Sequence, residues 1–255
     1  MNKALGKNWI LLRGLARESG HWGDFLPLLQ ATFPDARITT LDLPGTGCCY
    51  QDASPRTIQD IMEHVRNQAY SQGLLEQPVT LLAVSLGGMV AWEWLHHYPE
   101  DSCGAVLLST SFAGLNPFYQ RLRWQSYSKF FALLVKRDLY QRELAVLQLV
   151  NNSRKRDESL AQNWTRIQQN HPVRLKNLYN QMIAAATYQP SLEKPIQPVL
   201  LLNAQGDRLV SPSCSVSIQK KWQLELRTHP WAGHDITVDD GNWVAEQLQN
   251  WLSKT

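Results

Sequence analysis

The sequence predicts an α/β protein: a six-stranded, mostly parallel, doubly wound sheet with an inserted helical lid. Three observations lead there. Short apolar runs alternate with stretches of helical periodicity, the pattern of strand–helix–strand units around a parallel sheet. The alternation stops between residues 112 and 190, where no apolar run is bracketed by turn signals. It resumes at Val199. Residues 1–111 and 191–255 are therefore expected to form one core domain. Residues 112–190 are expected to be a helical insertion, because a structureless loop of that length is uncommon in a compact domain.

Each element has its own signal. Trp9-Ile10-Leu11-Leu12 is a continuous apolar run, which suits a strand buried on both faces. It ends at Arg13-Gly14-Leu15. A helix is expected over residues 22–33, with Phe25, Leu28 and Leu29 at helical spacing. Residues 37–41 read as the second strand, closed by the turn Asp42-Leu43-Pro44-Gly45-Thr46-Gly47. Ser54-Pro55 reads as a cap followed by a helix-starting proline, and Ile58, Ile61, Met62, Val65 and Ala69 supply an apolar face up to Gly73. Residues 79–84 form the third strand, followed by a helix to His97, and residues 104–109 the fourth. Within the insertion, residues 130–134, 144–150 and 175–186 read as helices. Then come a strand at 199–203, a helix over 212–221, a strand near 224–228 and a helix over 242–252.

Composition narrows the partners. A net charge of +3 gives no sign of nucleic-acid binding. The charge is unevenly spread, however. Residues 112–190 hold twelve Lys and Arg against four Asp and Glu, so a basic insertion sits on an acidic core. This is either a solvated helical face or a means of steering an anionic substrate or acidic carrier. Cys48-Cys49 has no matching second pair, so no zinc-binding spacing is visible; the four cysteines read as reduced thiols, with a redox role for the vicinal pair as the alternative. No cofactor or metal is expected. The residues up to Asn8 show no signal-peptide pattern, and the apolar runs are too short for a membrane span, so a soluble, cytoplasmic protein is expected.

The candidate chemistry centres on Ser85, placed where a buried strand passes directly into a helix. A serine there sits on a tight turn beside the unpaired N–H groups of the helix start. Gly87 lets the helix approach the strand, and Ala83 is small enough to avoid a clash. A serine hydroxyl needs a base in reach, and the base needs an orienting group. Functional residues of a parallel sheet collect in loops at the C-terminal strand ends. The loop 203–210 offers Asp207 and the loop 230–235 offers His234. Asp235 is the rival acid, though adjacent side chains in an extended loop diverge. His229 is the rival base; His64, His96, His97 and His171 fall on helical segments.

In this order the pieces resemble the α/β-hydrolase superfamily, over nearly the whole chain. The elbow reads Ala83-Val84-Ser85-Leu86-Gly87-Gly88, with Ala83 where the family pattern has glycine. Asp42-Leu43-Pro44-Gly45-Thr46-Gly47 resembles the family's D-x-P-G-x-G loop, and Gly206-Asp207 and Gly233-His234 resemble its acid and base loops. Within it, the chain is similar to pimeloyl-acyl-carrier-protein methyl ester esterases and related lid-bearing bacterial hydrolases. The resemblance implies a serine esterase acting on a carboxylic ester or thioester of a small-molecule acyl group. Ser85 would attack, His234 shuttle the proton, and Asp207 orient His234. The backbone N–H groups of Leu15 and Leu86 would hold the oxyanion. Alternatives are an ester hydrolase acting on an acyl carrier protein docked by the basic lid, or a non-hydrolytic lyase. Because the candidate nucleophile is serine, the Asp-dependent dehalogenase and epoxide hydrolase branches are disfavoured.

Arg13 stands where many relatives have histidine. Either it braces the loop by bonding backbone carbonyls, or Arg13 or Arg17 binds a substrate carboxylate, for which guanidinium geometry is suited. His21 and Trp22, in the same loop, are expected to be structural or substrate-facing. Trp124 and Trp164 are candidates for lining the acyl pocket.

Overall fold

The computed structural model describes residues 4–254; the outermost ends of the expected core, residues 1–3 and 255, lie outside the described residues. Six strands form one parallel sheet: β1 (Asn8–Leu12), β2 (Arg37–Leu41), β3 (Val79–Val84), β4 (Ser102–Leu108), β5 (Val199–Ala204) and β6 (Glu225–His229), in the order β2-β1-β3-β4-β5-β6. The chain steps outward from β1 to β2, then returns across β1 to β3. That reversal opens a crevice at the C-terminal ends of β1 and β3, where Gly14 and Ser85 meet.

The helices are α1 (Phe25–Thr32), α2 (Ile58–Ser71), α3 (Leu86–His97), α4 (Phe118–Arg121), α5 (Tyr127–Val135), α6 (Leu139–Val150), α7 (Glu158–Asn170), α8 (Leu175–Thr187), α9 (Pro212–Trp222), α10 (Ile236–Asp239) and α11 (Gly241–Leu252). Strand side chains alternate between the two faces of the sheet. Ile10, Leu12, Leu81 and Leu107 pack with Met62 and Val65 of α2, Trp92 of α3 and Trp222 of α9. Leu11, Leu82, Val106 and Leu108 pack with Phe25 and Leu29 of α1 and Leu248 and Trp251 of α11. α4 to α8 fill the interval between β4 and β5, with a small core of their own around Leu147, Ala161 and Trp164.

Two local readings need correction. Helix α2 begins at Ile58 rather than at Ser54-Pro55; the Thr57 hydroxyl accepts the Asp60 N–H and caps it. Ser54 is buried instead, with its N–H and C=O bonded by Asn177 and Asn180 of α8. The helix expected over residues 22–33 is split, with a 3-10 turn at Ser19–Trp22 and α1 starting at Phe25. No helix among the described residues is long and apolar enough to cross a membrane.

The turn 42–47 explains its glycines and its aspartate together. One Asp42 carboxylate oxygen accepts from the Ser19 backbone and hydroxyl, and the other from the Cys48 N–H. Gly47 has φ +52, and a Cβ there would lie 1.9 Å from the Asp42 carboxylate. The turn thereby clamps the loop that follows β1 to the loop that follows β2.

Candidate active site

Ser85 occupies the step from β3 to α3 with φ 56 and ψ −114. Such a backbone costs a non-glycine residue on the order of 1–3 kcal/mol, so the surroundings must hold it. They do so at both ends. The Ser85 N–H donates to the Leu108 carbonyl at 2.8 Å, and the Ser85 carbonyl accepts from Thr110 Oγ1 at 2.8 Å and the Gly88 N–H at 2.9 Å. A Cβ on Gly87 would lie 2.5 Å from the Arg13 carbonyl oxygen, so glycine is what allows α3 to press against the end of β1. A Cβ on Gly14 would lie 3.1 Å from the Ser85 Cβ. The loop carrying Leu15 thus crosses directly beside the serine, and Leu86 is the first residue of α3.

His234 and Asp207 come together from the loops after β6 and β5. Nδ1 of His234 is 2.8 Å from Oδ2 of Asp207, and both side chains are buried. The other Asp207 oxygen accepts the N–H groups of Leu209 and Val210, which fixes the carboxylate toward the ring. With Nδ1–H donating to Asp207, Nε2 is left as the basic nitrogen. Burial works against a charged imidazole here. The charge and hydrogen bond of Asp207, with the charge of Asp235, outweigh it and raise the His234 pKa above its ordinary 6.5. Ser85 and His234 both line a cavity of about 180 Å³. Its walls are mostly apolar: Phe130 and Leu133 of α5, Val146 and Leu149 of α6, Leu178 of α8, and Leu209.

Arg13 braces its loop through a carboxylate rather than through backbone carbonyls. Its guanidinium forms a two-pronged ion pair with the buried carboxylate of Asp235, and its Nη1 also reaches Thr237 Oγ1 at 3.4 Å. It lies over the Trp22 ring, 4.8 Å from the centroid. Burial would raise the Asp235 pKa, but the charge and hydrogen bonds of Arg13 more than reverse this and hold it below the ordinary value. Asp235 is thus committed to Arg13 and not to its neighbour His234. The pair ties the loop after β1 to the loop that carries His234. The sequence offered only one clue, an arginine and an aspartate each beside a candidate site residue.

Arg17 is likewise paired, with Glu143 of α6 at 2.6 Å, and stacks on Trp164 at 4.9 Å. Both arginines touch the cavity, yet each already faces a carboxylate. His21 and Trp22 are buried and lie off the wall of the Ser85 cavity. His21 Nε2 accepts from Arg17 at 2.9 Å; burial and the charges of Arg17 and Arg13 keep this imidazole neutral. Trp164 lines the cavity, whereas Trp124 is exposed. His229 is buried against Asp240 at 3.2 Å and is not on the cavity wall.

The helical segment is fastened to the loop after β1. Gln181 of α8 accepts the Ala16 N–H at 2.9 Å and donates to the Pro44 carbonyl at 3.2 Å, and Gln168 of α7 donates to the Ala16 carbonyl at 3.3 Å. Sequence periodicity carried no signal for these bonds, because single glutamines on helices are ordinarily solvated.

The sheet order, the strained serine step and the paired histidine and aspartate define an α/β-hydrolase fold. The chain belongs to the family described as serine aminopeptidase, S33, a family of α/β hydrolases, whose profile matches residues 13–241. Among solved structures it is similar to a hydrolase from Pseudomonas aeruginosa PA01, with TM-score 0.78, 19% identity, and coverage of 99% of this chain and 91% of the other. It is also similar to the esterase RhEst1 from Rhodococcus sp. ECU1013, with TM-score 0.74, 19% identity, and coverage of 97% and 90%. A thermophilic esterase from Thermogutta terrifontis matches with TM-score 0.74, 17% identity, and coverage of 98% and 91%. At these identities the likeness is one of fold. No curated protein matches the sequence.

The raised His234 pKa has a kinetic consequence. A base must be neutral to accept a proton, so the neutral fraction grows only as pH rises through the folded-state pKa. If His234 serves as the proton acceptor, the acidic limb of the kcat/KM profile is expected to inflect above 6.5. In Asp207→Asn the main stabiliser of the imidazolium is gone, and the limb is expected at lower pH with a much smaller plateau. An unchanged limb in that variant would contradict the assigned coupling.

Proposed function

We propose that the chain is a serine hydrolase that cleaves a carboxylic ester or thioester through an acyl-enzyme. The observation that carries this is the Asp207–His234 hydrogen bond of 2.8 Å on the wall of the same apolar cavity as the strained Ser85. Ser85 Oγ attacks the acyl carbon while His234 Nε2 takes its proton. His234 then protonates the leaving oxygen or sulfur. Water, deprotonated by the same imidazole, releases the acid. The N–H groups of Leu15 and Leu86 stabilise the oxyanion, each worth about 100- to 1000-fold in rate. The helical segment 112–190 serves as a lid that roofs the acyl group. The mostly apolar wall favours an uncharged hydrocarbon acyl chain, and the pairing of Arg13 with Asp235 and of Arg17 with Glu143 supports neutral over anionic acyl groups.

Partitioning with hydroxylamine tests the mechanism. Esters of one acid with p-nitrophenol, phenol and methanol are expected to give the same ratio of hydroxamate to free acid, because they share one acyl-enzyme. A ratio that changes with the leaving group would contradict a common intermediate.

The basic helical segment favours a second, narrower reading, in which an acidic acyl carrier protein delivers the ester. Lys129, Arg137, Lys155, Arg156, Arg166, Arg174 and Lys176 are all exposed on it. Activity on a carrier-bound ester should then fall with added salt more steeply than activity on a free ester. Equal salt dependence would remove this reading.

A further inference from the structure

Away from the Ser85 cavity, a set of donor side chains gathers where the loop after β2 meets helix α2. We propose that Cys49, Asp52 and His64 form a site for a borderline-soft divalent cation such as Zn²⁺, with the Cys48 thiol as fourth donor. One donor atom from each of Cys49, Asp52 and His64 lies within 4.8 Å of the others. Tetrahedral Zn²⁺, with bonds of about 2.0–2.3 Å, brings its donors to about 3.3–3.8 Å of one another. The side chains of Cys49, Asp52 and His64 need to close by only about 1 Å or a little more, whereas Cys48, outside that set, must turn further to reach the ion. The Cys48 and Cys49 sulfurs are already 3.7 Å apart, and two thiolates on one tetrahedral Zn²⁺ are separated by about 3.8 Å. Linear spacing gave no zinc pattern; the turn and the helix supply the missing donors in space.

The donor chemistry selects the ion. Sulfur and imidazole suit Zn²⁺ and its neighbours, whereas Mg²⁺ and Ca²⁺ require oxygen donors. The donors also sit on anchored backbone. The Cys48 N–H is held by Asp42, and the Asp52 carbonyl accepts from Asn177 of α8 at 2.9 Å. His64 Nε2 lies 3.2 Å from Asp52 Oδ2, and Nδ1 lies 3.0 Å from the Gln68 amide nitrogen. Binding displaces the thiol protons to solvent. It also moves the imidazole proton to Nδ1, so that Nε2 turns its lone pair to the ion; Gln68 then gives up the bonds its amide nitrogen makes to His64 Nδ1 and to the Asp42 carbonyl.

The site sits where the core meets the helical segment. The carbonyls of Gln51 and Asp52 bond to Arg174 and Asn177, and the Ser54 N–H also bonds to Asn177. An ion joining residues 48–52 to α2 would fix the strip on which α8 rests, and so would stabilise the folded chain.

The test uses the full-length, metal-free protein kept reduced with a phosphine. Equilibrium dialysis against Zn²⁺ is expected to show one equivalent bound, and Co²⁺ to give a tetrahedral spectrum with a thiolate charge-transfer band. Cys49→Ser and His64→Ala should each weaken Zn²⁺ binding by at least about tenfold. Cys48→Ser should remove part of the charge-transfer intensity. Zn²⁺ should raise the melting temperature of the wild type and not that of His64→Ala. No bound Zn²⁺, or binding that survives both Cys49→Ser and His64→Ala unchanged, would overturn the proposal.

Discussion

Ser85→Ala is expected to lower ester hydrolysis on the order of 10⁶-fold, the loss seen when a nucleophile that works as one unit with its base is removed. The fold should be unaffected. The Ser85 backbone is fixed by its N–H bond to Leu108 and by the bonds its carbonyl accepts from Thr110 and Gly88, all of which alanine keeps. The variant should therefore melt at the wild-type temperature and bind substrate, while initial rates on a p-nitrophenyl ester fall to the background set by the remaining site. Retention of more than a few per cent of wild-type activity would mean that the chemistry is done elsewhere.

Arg13→Ala is expected to destabilise the protein by about 3–5 kcal/mol, measured by urea unfolding. The side chains of Arg13 and Asp235 are 4% and 5% exposed, so removing the cation strands a carboxylate in a low-dielectric interior. The pair itself need not stabilise the fold, because desolvating both charges costs much of what their attraction returns. An Arg13→Met, Asp235→Leu double variant should accordingly recover most of the loss. The contribution also has a definite pH dependence. Asp235 has a folded pKa below its ordinary value, so its contribution is present above the unfolded pKa of about 3.8 and is lost as pH falls through the lower folded value. Because Arg13 is committed to Asp235, Arg13→Ala should reduce activity by the same factor on neutral and anionic esters. Selective loss on anionic esters would restore a substrate-binding role for Arg13. A destabilisation below about 1 kcal/mol would contradict the buried pairing.

The strands were legible because a parallel sheet buries both faces, so Trp9 to Leu12, Leu81 to Val84 and Leu200 to Leu202 appear as unbroken apolar runs. Gly87 was legible for a related reason: only glycine permits a helix to lie that close to the end of a strand. Asp207 and His234 could be singled out because loops at the C-terminal strand ends are few. Other features depend on contacts distant in sequence and leave no local trace. Arg13 and Asp235 are 222 residues apart, and Ala16 meets Gln181 across 165. Ser54-Pro55 misled because serine before proline resembles a helix cap, while the backbone bonds of Ser54 were taken instead by two asparagines of α8. For His21 and Trp22 the sequence left a structural and a substrate-facing reading open, because their loop crosses the site. Trp22 is packed under the Arg13 guanidinium, and His21 is packed edge-on against Trp164, as the structural reading expects.

The central claim is that Ser85 is a nucleophile activated by His234. Labelling with a fluorophosphonate, read by intact mass and peptide mapping, tests it most directly. The expected result is one adduct per chain, located on Ser85, absent from Ser85→Ala and strongly slowed in His234→Ala. No adduct on the folded wild type, or an adduct that maps to another residue, would contradict it.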